Sequence, residues 1–221
     1  MTTIHNEAVT SAVCGESSSQ TAIASTNAFG SPDLDTRPPE MQRSTISSWV
    51  QNCPECGFCA RHLYQAGANA KAIVDSSEYR NQVTSPAFPT LANEFLCLRM
   101  LSEGGANLHD AAWASIHAAW ACDYDSQDEA AAKCRNEAVR LITTLHAQNE
   151  FLAPQAGADE AILTDLLRRA ARFDDALSLV DAALPETSDE LIQKVLLFQK
   201  ALISGGDVGA YRIEDAERGH G

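Results

Sequence analysis

The chain has 221 residues, so it forms one domain or two small ones and can bury a core without disulfide bridges. It carries 16 Lys and Arg residues against 30 Asp and Glu residues, which gives a net charge of −14 with His neutral. This acidity argues against binding to nucleic acid and to anionic membranes, because both require a basic protein surface.

The sequence shows no sign of membrane insertion or secretion. No stretch approaches the ~18 apolar residues of a membrane span. Residues 1–18 have neither the basic nor the apolar region of a secretory signal. We therefore expect a cytoplasmic protein. The chain has seven cysteines, and in a reducing compartment clustered cysteines bind metal more often than they form disulfides.

Residues 1–62 are predicted to form a small β module. The segment is rich in Ser, Thr, Asn, Gly and Pro. Short apolar stretches at 8–13, 22–24 and 46–50 are separated by turn-forming residues, a pattern that indicates strands.

The strongest local motif is Cys53-Pro54-Glu55-Cys56-Gly57. Two thiolates three residues apart can bind one tetrahedral zinc ion, and the glycine permits the positive φ of such a turn. Val13-Cys14-Gly15 has the form of a second motif, but Ser11 stands where its first cysteine would be. The sequence therefore predicts a zinc-ribbon-like site that lacks one cysteine.

The fourth zinc ligand has several candidates. Cys59 and His62 continue the spacing of the first motif, and they would lie on one face if a helix begins near Gly57. Ser11 and His5 are the other two candidates. We expect structural Zn²⁺ bound by Cys14, Cys53 and Cys56 together with either Cys59 or His62.

Three alternatives remain for these cysteines. The spacing C-x₂-C-x₂-C resembles the start of a ferredoxin iron–sulfur motif, but Leu63 stands where the next cysteine belongs. A thioredoxin-like pair would require a βαβ context, and none precedes Cys53. The third alternative is a degenerate site that binds no metal.

The chain is predicted to be helical from about Cys59 onward. Apolar residues at helical spacing, Asn, Ser and Asp caps, and Gly or Pro stops indicate helices at 91–101, 107–121, 125–148, 159–172, 174–184 and 188–204. The tail 205–221 is expected to be frayed.

Residues 167–177 resemble the inter-helix turn of a tetratricopeptide repeat, with Ala171, Phe173, Ala176 and a later Pro185 at matching positions. Ala171 would let the turn close, Phe173 would fill the gap between helices, and Ala176 would let the backbones approach. The resemblance implies a mainly α fold of tetratricopeptide-like antiparallel helix pairs over 63–221. Such pairs present a concave groove to a protein or peptide partner. A plain helical bundle is the alternative.

Two groups of polar side chains within the predicted helices have ordinary structural interpretations. His109, Trp113, His117 and Trp120 form a stripe that we expect to belong to the core. Arg168, Arg169 and Arg172 are expected on a solvated face, near acidic residues.

The polar loop 25–41 is the other candidate binding site. Asp33 and Asp35 are two residues apart, so both point the same way in an extended chain, with Arg37 on the same face. The three side chains could bind a cation, a phosphate or a peptide terminus. Alternatively, the two aspartates form Asx turns and Arg37 pairs with one of them.

Loop 25–41, Trp49, the Cys53 motif and the paired helices together resemble a family of uncharacterised bacterial proteins. In that family a zinc ribbon comes first and paired helices follow. The resemblance covers most of the chain, and it implies a zinc-binding protein without implying an activity. The chain departs from the family pattern at Ser11.

These observations predict a non-catalytic, metal-stabilised adaptor that binds a protein or peptide partner. The alternative is a zinc-dependent enzyme in which an open coordination position near Ser11 holds a water molecule. Glu55 and Asp33 are the candidate general bases for that reaction. A thiol-based redox sensor is a third hypothesis.

Overall fold

Two short antiparallel strand pairs form the N-terminal part of the chain in the computed structural model, which describes residues 1–219. Strand β1 (Thr3–Thr10) pairs with β2 (Ser17–Ser25). Strand β3 (Gln51–Asn52) pairs with β4 (Cys59–Ala60). The predicted small N-terminal strand element is thus confirmed.

The remainder of the described chain is mostly helical. Helix accounts for 53% of the described residues, which confirms the mainly α fold. Short 3₁₀ helices lie at Arg43–Ser48 and Leu184–Glu186. The α-helices are α1 (Ala70–Val74), α2 (Ser77–Val83), α3 (Thr90–Gly104), α4 (Leu108–Tyr124), α5 (Asp128–Ala147), α6 (Ala158–Arg169), α7 (Phe173–Ala183), α8 (Glu190–Ser204) and α9 (Ile213–Arg218).

The six predicted helices correspond to α3 through α8, and each bound agrees within three residues. The helix expected from about Cys59 is wrong, because the first α-helix begins only at Ala70. Cys59 lies instead in an extended strand, where it pairs with Asn52. Its backbone N–H donates to the Tyr79 hydroxyl at 3.0 Å rather than to a helical carbonyl.

Residues 205–219, where a frayed tail was predicted, return to the polar loop 25–41. Leu34 N donates to Tyr211 O and Ile213 N donates to Pro32 O, both at 2.9 Å. Helix α9 then buries Ala216. The tail is therefore held by backbone pairing with a segment about 180 residues earlier in the sequence. Residues 220 and 221 lie outside the described part of the chain.

The buried apolar side chains form two clusters. The first joins the N-terminal module to the helices: Val9, Ile46 and Phe58 pack together with side chains of α3, α4 and α5. The second cluster is formed by side chains of α6, α7, α8 and α9, and it also includes Leu34 of the polar loop. Within residues 1–219, no helix is long and apolar enough to cross a membrane.

One turn recurs after the long helices. In each turn, one backbone N–H donates to the carbonyl five residues earlier in the chain. The residue immediately before this donor has a positive φ. Together these two features define the Schellman motif. The closing bonds are Asn107 to Ser102 (2.8 Å), Gln127 to Cys122 (3.0 Å), Glu150 to Leu145 (2.9 Å), Arg172 to Leu167 (2.9 Å) and Asp207 to Leu202 (3.0 Å). The positive-φ residues are Ala106, Ser126, Asn149, Ala171 and Gly206.

Candidate metal centre

Two loops of the same construction face each other in the N-terminal module. One joins β1 to β2 and the other joins β3 to β4. In the first loop Ser11 N donates to Glu16 O at 2.8 Å, and in the second Cys53 N donates to Phe58 O at 2.9 Å. Each loop closes through a glycine N–H that donates to a carbonyl four residues earlier, at 2.8 Å in both cases.

The glycines are required by the backbone of these loops. Gly15 has φ +82° and Gly57 has φ +73°, a conformation that L side chains rarely adopt. The turn carries the chain back so that the preceding cysteine points into the space between the loops. The pattern of a cysteine followed by glycine, which the sequence shows twice, thus has a structural cause in both places.

Three cysteines meet between the loops. The Sγ atoms of Cys14, Cys53 and Cys56 all lie within 4.8 Å of one another, an arrangement that could hold a metal ion. Cys14 Sγ and Cys53 Sγ are 3.6 Å apart. Two sulfur ligands of a tetrahedral ion at 2.3 Å would be about 3.8 Å apart. The spacing therefore suits a metal ion, and the three thiols are not joined by disulfides.

The three thiols differ in environment. Cys53 is buried, Cys56 is partly buried and Cys14 is exposed. Hydrogen bonds from the Ser11 hydroxyl and from the Glu16 backbone lower the pKa of Cys14 to about 7. Burial raises the pKa of Cys56 to about 11. A cation bound between the thiols would favour the thiolate form of both residues.

Cys59 and His62 do not join this cluster. Cys59 is fully buried, where it accepts a hydrogen bond from the Asn52 side-chain amide at 3.3 Å. Its contact with Cys97, followed by burial, raises its pKa well above the ordinary thiol value. His62 is exposed, with its ring stacked on Tyr64 at a centroid distance of 5.3 Å. The three-cysteine group therefore comes from the two half-motifs, without these two residues.

Two further hydrogen bonds, both made by one tyrosine hydroxyl, fix the backbone around the Cys53 loop. The buried Tyr79 hydroxyl accepts a hydrogen bond from Cys59 N at 3.0 Å and donates one to Gly57 O at 3.1 Å. Tyr79 lies on α2, so the loop that carries two of the cysteines is tied to the helical part of the chain. Sequence reasoning missed this residue, because a tyrosine 22 positions after Gly57 gives no local signal.

The residues of the polar loop make contacts inside the protein. Asp33 forms an ion pair with Arg43. Asp35 is fully buried and accepts from the Trp120 indole N–H at 2.7 Å. Arg37 lies over the Tyr124 ring, 4.3 Å from its centroid. The Asx turn is present, with Arg37 N donating to Asp35 Oδ1 at 3.2 Å. The loop therefore uses these three side chains to pack against the rest of the chain.

The predicted aromatic stripe of α4 contacts the N-terminal module. The His117 ring is surrounded by those of Trp49, Phe95, Trp113 and Trp120, with centroid distances between 4.9 and 6.0 Å. His109, at the start of α4, lies apart from this group and contacts Leu152 O through Nε2 at 3.1 Å.

An apolar cleft of about 780 Å³ opens in the helical region. It lies between the connection from α5 to α6 and the C-terminal half of α7. Phe151 stands at the cleft with 60% of its surface exposed. The cleft is also lined by the apolar side chains of Leu152, Leu179 and Ala183.

Comparisons with protein-family models, with curated proteins and with solved structures find no match for this chain.

Proposed function

We propose that this chain is a non-catalytic interaction protein whose N-terminal module is stabilised by zinc and whose helices bind a basic, apolar segment of a partner protein. Three features support the proposal: the cysteine cluster, the repeated helix turns and the cleft beside Phe151. The cleft is the observation that carries the proposed function.

Zinc is the metal that the cysteine donors suit best. Thiolates are soft ligands, and pairs of cysteines in facing knuckle loops are typical of structural zinc sites. The metal would join the β1–β2 loop to the β3–β4 loop across about 40 residues of sequence. In this proposal it contributes folding energy to the module and has no part in a reaction.

The helix pairs support a tetratricopeptide-like arrangement. Helices α6 and α7 are 12 and 11 residues long and are joined by a three-residue turn. Ala171 in that turn has φ +57°, and Ala176 is fully buried, as close helix approach requires. The same turn joins α3 to α4 and α4 to α5, although the sequences differ. In this proposal one supersecondary unit is repeated along the helical region.

The cleft has the chemistry of a binding site for an apolar anchor. Its lining is mainly apolar, yet it opens on a strongly acidic molecule. An aromatic side chain that is 60% exposed at such an opening is a common feature of interaction sites. Phe151 would cover the apolar part of a bound segment.

The acidic side chains that line the cleft indicate which kind of partner segment it would bind. Glu160 and Glu186 line the cleft, and no Lys or Arg does so among residues 1–219. Asp159 also lines it, but accepts from Leu152 N and Ala153 N, both at 2.7 Å. The two glutamates are therefore the carboxylates available to a ligand. They favour a segment in which Leu or Phe is flanked by Lys or Arg.

Fluorescein-labelled synthetic peptides provide the test. One set has Leu or Phe flanked by Lys, and a matched set has Glu in place of Lys. Fluorescence anisotropy should show binding of the Lys peptides alone, weakened by added salt. Ala182→Arg places a long cation at the cleft and should weaken binding at least tenfold.

Ser178→Arg is the matched control, since residue 178 is exposed on the same helix and does not line the cleft. It should bind like the unmodified chain. Equal binding of the Lys and Glu peptides, or unchanged binding by Ala182→Arg, would contradict the proposal.

A further inference from the structure

The geometry points to Ser11 as the fourth ligand of the metal, so that the site presents three sulfur atoms and one oxygen atom. This inference rests on the proposed metal binding and adds a ligand to it. The argument comes from the equivalence of the two loops, from the position of the Ser11 hydroxyl and from its burial.

Ser11 occupies the position in its loop that Cys53 occupies in the other. Each residue donates its backbone N–H to the carbonyl five residues later, and each accepts the N–H of the glycine four residues later. Cys14 and Cys56 stand at the matching second positions. Two loops built alike and facing each other direct four side chains into one space, and the fourth of these is Ser11.

The Ser11 hydroxyl is directed toward the cysteines. Its Oγ lies 3.8 Å from Cys56 Sγ. For a tetrahedral ion with oxygen at about 2.0 Å and sulfur at about 2.3 Å, that separation would be about 3.5 Å. The observed separation is therefore within a few tenths of an ångström of the one that shared coordination would require.

The surroundings of Ser11 suit a ligand oxygen. The residue is 1% exposed, so bulk water does not compete for this corner of the site. Val13 N and Cys14 N donate to Oγ at 3.3 and 3.5 Å. These two backbone contacts hold the hydroxyl oxygen in place beside the cysteines.

An oxygen ligand changes how strongly the metal is held. A serine side chain is shorter than a cysteine side chain, and a neutral hydroxyl is a weaker zinc ligand than a thiolate. The site should therefore release its metal more readily than a site with four cysteines. Restoring a thiolate at position 11 should tighten metal binding, and removing the oxygen should loosen it.

The test uses the full chain, stripped of metal under a phosphine reductant without oxygen, and then titrated with Co²⁺. Absorption reports the ligands, because thiolate-to-cobalt charge-transfer intensity grows with the number of bound thiolates. The unmodified chain should give a tetrahedral spectrum. Ser11→Cys should raise the charge-transfer intensity to that of four thiolates and should bind zinc at least tenfold more tightly against a competing chelator.

Ser11→Ala should change the ligand-field bands and bind zinc at least tenfold more weakly. Ser178→Cys is the matched control: it adds a thiol on the exposed face of α7, in the helical region, and should leave the spectrum unchanged. Cobalt binding with identical spectra for the unmodified chain, Ser11→Ala and Ser11→Cys would overturn the inference and leave the three-cysteine site standing. Absence of cobalt binding by the unmodified chain would overturn both.

Discussion

At the scale of single residues, His117 shows how burial fixes a protonation state. Four aromatic rings surround its imidazole. Removal from water, assisted by the positive charge of Arg61, lowers the pKa of His117 to about 3. The residue is therefore a neutral aromatic ring in the folded protein at neutral pH. It joins Trp49 of the N-terminal module to Trp113 and Trp120 of α4.

This histidine should make stability depend on pH. In the unfolded chain its pKa is about 6.5, so between pH 6.5 and 3 the unfolded state binds more protons than the folded state. The free energy of unfolding should fall as the pH is lowered through this window, by at most about 1.4 kcal/mol per pH unit from this residue. Urea denaturation at about pH 7, 6, 5 and 4 measures the slope.

His117→Phe keeps a ring in the aromatic cluster and should remove this part of the slope. His62→Phe is the control, because His62 is exposed and should leave the slope unchanged. Equal slopes for His117→Phe and the unmodified chain would contradict the interpretation.

Residue-level prediction succeeded where the cause is local. The spacing of Cys53 and Cys56, and the glycine after Cys14, arise from loops of six residues, so a short stretch of sequence contains the whole pattern. The predicted solvated position of Arg168 and Arg169 is wrong: Arg168 is fully buried, and the Arg169 side chain is only 8% exposed. The Arg168 guanidinium donates to Asp165 and to the carbonyls of Asp207 and Gly209. The two carbonyls lie about 40 residues away, which no local pattern reveals.

At the scale of secondary structure, the recurring Schellman turn sets the spacing of the helices. In three of its five occurrences it connects two helices with only three residues, which holds them as antiparallel neighbours. The turn requires a left-handed residue, and the chain uses Ala at two of these places, Ala106 and Ala171. Since a Cβ atom disfavours that conformation, both alanines carry a conformational cost.

Replacing Ala171 with glycine should therefore stabilise the protein. Ala171 is exposed and has φ +57°, so the change removes the Cβ conflict without creating a cavity. We expect a gain of about 1 kcal/mol in the free energy of unfolding, measured by urea denaturation. Ala170→Gly, one residue earlier at φ −89°, should instead destabilise by up to about 1 kcal/mol. A destabilised Ala171→Gly variant would contradict the assigned turn.

The long helices could be predicted because their signals are redundant. Helix α8, for example, has an Asp189 cap that accepts from Leu191 N and Ile192 N, an apolar face and a Gly205-Gly206 end. Strands β3 and β4 have two residues each, too few for a periodic pattern. Their existence depends on the Cys53 loop that they flank. Helix periodicity was therefore extended wrongly through Cys59.

At the scale of the whole molecule, a buried ionic network joins the polar loop to the helices. Asp35 of the loop contacts Trp120 of α4 and, at 3.3 Å, Arg169 of α6. Arg169 also donates to Asp123 at 2.8 Å, and Arg135 of α5 donates to the same carboxylate at 2.6 Å. One loop side chain thus connects the N-terminal segment with both α4 and α6.

Breaking this network should destabilise the whole chain. Asp35→Ala leaves the Trp120 N–H without its acceptor and Arg169 with one carboxylate fewer, in a region closed to water. We expect a loss of about 3–5 kcal/mol in the free energy of unfolding, measured by chemical denaturation. Asp125→Ala, an exposed acid at the end of α4, should change it by no more than about 0.5 kcal/mol.

A double mutant tests whether the cost of Asp35→Ala comes from leaving the Arg169 guanidinium unpaired. If the cost of Asp35→Ala comes from a stranded guanidinium, adding Arg169→Met should cost less than the sum of the two single changes, because the unpaired cation is then absent. Additive losses would show that Asp35 acts through its contacts with Trp120 and with the Arg37 backbone rather than through Arg169. Whichever contact dominates, Asp35→Ala should lower the local stability of both the polar loop and the C-terminal segment, since Leu34 beside Asp35 pairs with Tyr211 of that segment. Hydrogen exchange at residues 31–34 and 211–214 would report that coupling directly, and unchanged protection there would contradict it.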